Sequence, residues 1–183
     1  PVACAAAGMA FVTEDRRVEG LFLAARIRTN VAAASLTKFA GRGLGLLDLK
    51  ALHSAADKSA KDSGLTQEDP WGKLVRNLSG GNQQKIVLAR EIERNPDLLL
   101  IGQPTRGVDI GAIEFIHKHI ITLRDQGKAI LLVSVELDEI MGLADRIAVM
   151  FDGHIMGERL PAETDEQDLG LLMAGITERK GVA

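Results

Sequence analysis

The chain has 183 residues, 46% of them apolar and 26% charged, which suits one domain with a proper core and excludes a disordered chain. A net charge of −3 and a pI near 5.8 supply no general attraction to nucleic acid, and no apolar run approaches the length that crosses a bilayer. The lone Cys4 excludes an internal disulfide and suits a reducing compartment, and the sequence reads as having no signal peptide.

Pro1 stands where an initiating Met would, so the chain is read as a fragment. Pro1–Ala7 is alanine-rich and is expected to end a helix at Gly8, before a short buried strand at Met9–Val12. Thr13-Glu14-Asp15-Arg16-Arg17 then reads as a solvated, charged loop. From Gly20 to about Asp69, alanines, leucines and scattered charges predict helix, broken at Gly41-Arg42-Gly43 and at Gly64–Pro70. Trp71, the sole tryptophan, is assigned to packing, and His53, with no ligand partner nearby, to the surface.

The stretch Asn77-Leu78-Ser79-Gly80-Gly81-Asn82-Gln83-Gln84-Lys85 is a polar, glycine-paired turn that runs into an apolar helix at Ile86–Ile92. Ser79 is the expected N-cap, its hydroxyl accepting from a first-turn N–H. Gly80 and Gly81 leave their N–H groups open to an anion at the positive end of the helix, so the site suits a phosphate. As a bare pattern the same residues are simply a capped turn.

Pro96-Asp97 ends that helix, and Leu98–Ile101 fits a central parallel strand covered on both faces. The loop Gly102-Gln103-Pro104-Thr105-Arg106-Gly107-Val108-Asp109 follows at the carboxyl end of the strand, where ligand sites of α/β proteins lie. Ile113–Gln126 is an amphipathic helix with Ile113, Ile116, Ile120 and Leu123 on one face and Gly127 as its stop. His117 and His119 are two apart and share no helical face, which argues against a metal site. Ala129–Ser134 is the next expected buried strand and Glu136–Ala144 the next helix. Asp152-Gly153 marks a hairpin between Ile147–Met150 and Ile155–Gly157, with His154 exposed beside the turn. Thr164–Ala174 closes the chain as a helix, Thr164 and Gln167 being spaced as a capping box. The alternation predicts an α/β core carrying a helical insertion near its start.

Three landmarks occur in a fixed order: Glu14-Asp15-Arg16-Arg17, then Leu78-Ser79-Gly80-Gly81-Asn82-Gln83-Gln84-Lys85, then Pro104-Thr105-Arg106-Gly107-Val108-Asp109. From Pro1 to Gly175 the chain resembles the second ATP-binding domain of the tandem ATPase subunit of bacterial ABC importers for simple sugars and nucleosides. The resemblance implies an ABC-type, P-loop-related parallel-sheet core with a helical subdomain inserted before the signature motif. It places the core edge and a Q-loop-like segment at 1–17, the helical subdomain at 18–76, the signature, Walker B, D-loop and switch regions at 77–160, and a terminal helix and tail at 161–183. Arg26, Arg28 and Asn30 fall where that subdomain begins. Ser79, Gly80, Gly81 and Asn82 would reach the terminal phosphate of ATP held by a partner domain. Glu14 takes the place of the Q-loop glutamine, Thr13 replacing the usual proline, and Asp109 is the D-loop aspartate that communicates across the dimer interface.

The same resemblance exposes departures. An active site of this family ends its Walker B strand in Asp-Glu, one helping to hold Mg²⁺ and the other polarising water. Here Gly102 offers no side-chain oxygen and Gln103 only a neutral amide. Val135 replaces the switch histidine, and no Gly-x-x-x-x-Gly-Lys-Ser/Thr phosphate loop occurs, as expected for a fragment that starts after it. The implied function is an importer ATPase half that completes the partner's ATP site while its own site is degenerate and this chain alone is inactive. Its implied cofactors are ATP and Mg²⁺, held mainly by the partner. Its implied partners are the N-terminal nucleotide-binding domain of the same subunit, the transmembrane permease and, indirectly, a substrate-binding lipoprotein, with no nucleic acid; its place is peripheral, on the cytoplasmic membrane face. A fully active ATPase domain and a soluble ABC ATPase of translation or DNA repair are the alternatives. The former is opposed by Gly102, Gln103 and Val135, the latter by the lack of basic arms or coiled coils.

Overall fold

A computed structural model describes residues 2–40, 47–62, 64–65 and 73–177. The expected breaks at Gly41-Arg42-Gly43 and over 66–70, and Trp71, lie outside the described residues. The chain divides into two compact units, one up to Val133 and one from Ser134.

In the first unit α1 (Val2–Ala6) closes at Gly8, whose φ of +79° is open to a residue without Cβ. Strand β1 (Met9–Val12) forms at the expected residues, but it is not the buried strand expected, since Phe11 is 53% exposed. The charged cluster after it is not a plain loop. Asp15 accepts from the N–H groups of Arg17 and Val18 and starts a single wide helical turn at Arg16–Gly20. The predicted long helical region is reduced to α2 (Ile27–Ala33), a short turn at Leu36–Phe39 and α3 (Leu49–Asp62). Asn30 explains part of the departure from helix. It is fully buried, and it takes the Phe22 N–H on Oδ1 at 2.8 Å while Nδ2 donates to the Phe22 and Arg26 carbonyls. A buried amide thus satisfies the non-helical backbone before α2. Arg28 pairs with Asp57 on α3 at 3.0 Å, and His53 is exposed as expected.

Helix α4 (Gly80–Glu93) begins at Ser79 and buries Ile86, Val87, Leu88 and Ala89. Strand β2 (Leu98–Gly102) and strand β3 (Ala129–Val133) flank α5 (Ile110–Asp125), which stops before Gly127 at φ +83°. The three strands form a parallel sheet in the order β1-β2-β3, with Phe11, Leu100 and Leu131 in register. Helix α4 packs on β1 and on α5, and α5 packs on β3.

The next two strands are also less buried than their apolar runs suggest. Leu98–Ile101 is the central strand, but only Leu99 and Ile101, each 1% exposed, are fully covered; Leu98 and Leu100 are half-buried. Nor is β3 a buried strand, since Leu131 and Val133 are 57% and 59% exposed. The reason is positional: β3 is an edge strand of the three-stranded sheet, and Phe11, Leu131 and Val133, which share one sheet face, are all exposed. An apolar run identifies a strand without saying which of its faces is covered.

The second unit comprises α6 (Leu137–Leu143), the antiparallel hairpin β4 (Ile147–Phe151) and β5 (His154–Arg159), and α7 (Glu166–Met173). Asp152 and Gly153 both have positive φ, +46° and +77°, the paired left-handed geometry that Asp-Gly predicts. Ile147, Val149, Leu169 and Leu172 form its core, with Leu137, Ile140, Met141, Ala144 and Met156 around them. The expected capping box is not formed. Asp165 caps α7 by accepting from the Asp168 N–H at 2.7 Å, while the Thr164 hydroxyl donates to the Asp168 carboxylate at 2.9 Å. A carboxylate one position nearer the helix outcompetes the threonine, because it combines cap geometry with charge at the positive end. Asp165→Ala is therefore expected to cost about 1 kcal/mol in urea unfolding, and Gln167→Ala next to nothing.

Candidate functional site

Helix α4 starts where the sequence places it. Ser79 is exposed, in extended conformation, and its Oγ accepts from the Asn82 N–H at 3.3 Å. That cap uses one first-turn donor and leaves the N–H groups of Gly80 and Gly81 without partners inside the helix. The two glycines have a reason the sequence did not reveal. A Cβ added at Gly80 would stand 2.8 Å from both the Gly107 carbonyl oxygen and Arg16 Nη2. A Cβ at Gly81, which is buried, would stand 2.6 Å from the Ala112 Cβ and from an Asp109 carboxylate oxygen. Both glycines are small because the neighbouring loop and helix pack where a side chain would stand.

That neighbour is the loop after β2. Gln103 holds a left-handed backbone, φ +46°, unusual for a residue with a side chain. Its N–H donates to the Val133 carbonyl at 2.8 Å, and its own carbonyl accepts from Arg106 at 3.2 Å. Gly107, at φ +64°, closes the loop. Asp109 then caps α5, Oδ1 accepting from Ala112 at 3.0 Å. The starts of α4 and α5 thus meet at Gly81, with the Asp109 carboxylate between two positive helix ends.

Two residues between Thr13 and Arg17 complete the arrangement. Arg16 donates from Nη1 to the Arg106 carbonyl at 2.8 Å and from Nη2 to the Gly107 carbonyl at 3.1 Å. Glu14 forms an ion pair with the Arg106 side chain. An open cleft of about 510 Å³ is lined by Glu14, Asp15, Arg16, Arg17, Glu19, Arg106 and Gly107. Burial against this loop, reinforced by the charge of Arg17, pulls the Arg16 pKa down, partly offset by Asp15. Farther in, Gln83 is buried, donates to the Val75 and Leu78 carbonyls, and accepts from Arg17 Nε at 3.4 Å.

The structure therefore brings Glu14, Gly80, Gly81, Asp109 and the 102–108 loop together, with Ser79 exposed and Asn82 half-buried at the lip. Val135 lies in the second unit, 61% exposed, one residue after a serine whose Oγ accepts from the Glu136 N–H. Arg16 and Gln83 were not singled out in the sequence. Arg16 is one charge among several in its cluster, and its carbonyl partners lie 90 residues away. The donor set at the end of β2 does not suit a divalent cation: Gly102 brings no side-chain oxygen and Gln103 a neutral amide. His119 stacks on Phe115 with ring centroids 4.0 Å apart, so its ring has a packing role.

The architecture has relatives among solved structures. A dimeric ATP-binding cassette in a post-hydrolysis state, bound to ADP and Pi, superposes with a TM-score of 0.69 over 84% of this chain and 62% of that one, at 24% identity. This chain has the fold of an ATP-binding cassette. No family model matches the cassette chain. In sequence it is 47% identical to the guanosine import ATP-binding protein NupO of Bacillus subtilis (strain 168), over 94% of this chain and 34% of the relative. It is 40% identical to the ribose import ATP-binding protein RbsA 2 of Streptomyces coelicolor, over 96% of this chain and 33% of the relative. The cassette chain thus spans about a third of the length of the curated relatives it matches.

Steric room separates the cassette's glycines. The nearest atom to a Cβ added at Gly102 would be the Glu14 backbone nitrogen at 3.6 Å, an ordinary contact. Gly102→Ala is expected to shift stability by no more than about 0.5 kcal/mol, checked by thermal unfolding.

Proposed function

We propose that the chain is the second nucleotide-binding half of an importer ATPase, presenting Ser79, Gly80, Gly81 and Asn82 to ATP held by a partner domain. The observation that carries this reading is the exposed Ser79 lip of α4, whose Gly80 and Gly81 N–H groups have no intrahelical acceptors. Backbone donors at the positive end of a 14-residue helix suit the terminal phosphate of a nucleotide. Bound there, ATP would supply the phosphoanhydride whose cleavage drives transport; the residues of this chain orient and neutralise that end of it. Asp109 is proposed to face the partner domain and Glu14 to lie toward the permease. Residues 18–76 are taken as the helical subdomain.

At its own site the chain would contribute little chemistry. Gly102 and Gln103 supply neither a cation ligand nor a carboxylate base, and Val135 supplies no hydrogen bond to phosphate. ATP and Mg²⁺ are accordingly assigned mainly to the partner domain. Higher identity to a guanosine than to a ribose import protein favours nucleosides as cargo. Among the described residues no helix is long and apolar enough to cross a membrane. Attachment through a permease, at the cytoplasmic membrane face and with a substrate-binding lipoprotein beyond it, is part of the same proposal.

The test is hydrolysis by the purified chain compared with the full-length subunit assembled with its permease. The chain alone should not turn over Mg-ATP, and turnover on the order of 1 per second would overturn the reading. In the assembly, Gly102→Asp, Gln103→Glu and Val135→His together should change transport little. A large gain in hydrolysis would instead identify an intact second site lacking only its catalytic groups.

A further inference from the structure

We propose that Arg16 is a positioning residue that holds the loop 103–108 and the Ser79–Gly80 turn as one rigid unit; the inference rests on the reading of Ser79–Asn82 as the phosphate-contacting element. Its guanidinium donates to two successive carbonyls, those of Arg106 and Gly107, at 2.8 and 3.1 Å. Only a planar fork spans both; an ammonium at the same place is a single point donor. The Nη2 that donates to Gly107 also lies against Gly80, where a Cβ would come within 2.8 Å of it. The same Cβ would meet the Gly107 carbonyl, so the arginine, the loop and the turn share one contact point.

Two further observations fit a clamp rather than a solvated surface arginine. Nε of Arg16 is buried and has no hydrogen-bond partner, so burial leaves one donor unmet while the fork holds the other two groups in place. Glu14, two residues earlier, pairs with the side chain of Arg106 and grips the loop from the other side. The segment after β1 and the loop after β2 are thereby joined, and displacement of the first is carried to the start of α4.

The experiment uses the full-length subunit assembled with its permease, with Arg16→Ala, Arg16→Lys and Ser79→Arg variants, measuring kcat and KM for ATP. Arg16→Ala is expected to lower kcat about tenfold or more, with KM changed by less than about twofold, since nucleotide is held by the partner domain. Arg16→Lys, which keeps the charge and loses the fork, should fall between it and wild type. Guanidinium at low millimolar concentration should restore much of the kcat of Arg16→Ala, and methylammonium should not; neither should affect Ser79→Arg. Wild-type kcat in Arg16→Ala beside an inactive Ser79→Arg overturns this inference alone. Wild-type kcat in both variants overturns it together with the functional reading. A loss that guanidinium leaves untouched assigns Arg16 to folding and overturns the positioning role.

Discussion

Ser79→Arg is expected to abolish ATP hydrolysis in the assembled transporter, whereas Gln103→Ala is expected to leave it near the wild-type rate. Ser79 is exposed, so an arginine there reaches solvent without forcing any packed element apart. What it changes is the lip of α4. The long side chain covers the Gly80 and Gly81 N–H groups, and loss of the hydroxyl frees the Asn82 N–H that Oγ now accepts. The folding cost is that of one cap, about 1 kcal/mol, too small to explain complete inactivity. A drop of two orders of magnitude or more in kcat is of the size seen on losing aligned donors to a developing anion. Gln103 takes part in the loop through its backbone, donating to Val133 and accepting from Arg106, and an alanine retains both bonds. Its left-handed φ is already borne by a residue with a Cβ, so the alanine adds little strain. The measurement is hydrolysis by the reconstituted complex, with melting temperature as the folding control. Full activity in Ser79→Arg, or complete loss in Gln103→Ala, would exchange the roles of the two sites. Gly80→Asp is a poorer probe, because its Cβ would press on the Gly107 carbonyl at 2.8 Å.

Gly81→Val is expected to be the most damaging single substitution for stability, at about 3 kcal/mol in urea unfolding. Two opposed effects act at this position. Removing a helical glycine gains up to about 1 kcal/mol of propensity, less for a β-branched residue. Against this, a Cβ at position 81 stands 2.6 Å from the Ala112 Cβ, which is fixed to the backbone of α5 and cannot rotate away. The two helix starts must separate, and the Asp109 cap on Ala112 is pulled with them. Gly170→Ala serves as the contrast. It lies within α7 with nothing inside 4 Å of an added Cβ, so propensity alone acts and a gain of about 0.5 to 1 kcal/mol is expected. Equal effects of the two substitutions would show that close packing at Gly81 does not govern its identity.

Local signals carried much of the fold. Strand β1, the Ser79 cap, helix α5 with its stop at Gly127 and the Asp152-Gly153 turn all follow from neighbours within a few residues. Each depends on a backbone preference that the residue brings wherever it stands. The region from Gly20 to Asp69 was less legible. Its alanines and leucines favour helix, but burial of Asn30 against Phe22 and Arg26 holds part of the backbone in another conformation. A contact can override propensity because one buried, satisfied amide outweighs a few tenths of a kcal/mol per residue.

The sequence by itself determined which residues are proposed to meet a phosphate and which strand end lacks a carboxylate. Both are matters of residue type: paired glycines at Gly80 and Gly81 in the turn before a helix, and no side-chain acid at Gly102 or Gln103. Only the tertiary structure decided why those glycines must be small, which sheet face is covered, and that Arg16 rather than Arg17 grips the Arg106 and Gly107 carbonyls. These depend on distances between residues about 25 to 90 positions apart, set by the crossovers that bring β1, α4 and the loop after β2 side by side. No pattern within a window of neighbouring residues encodes such a distance, because it belongs to the packing of whole elements.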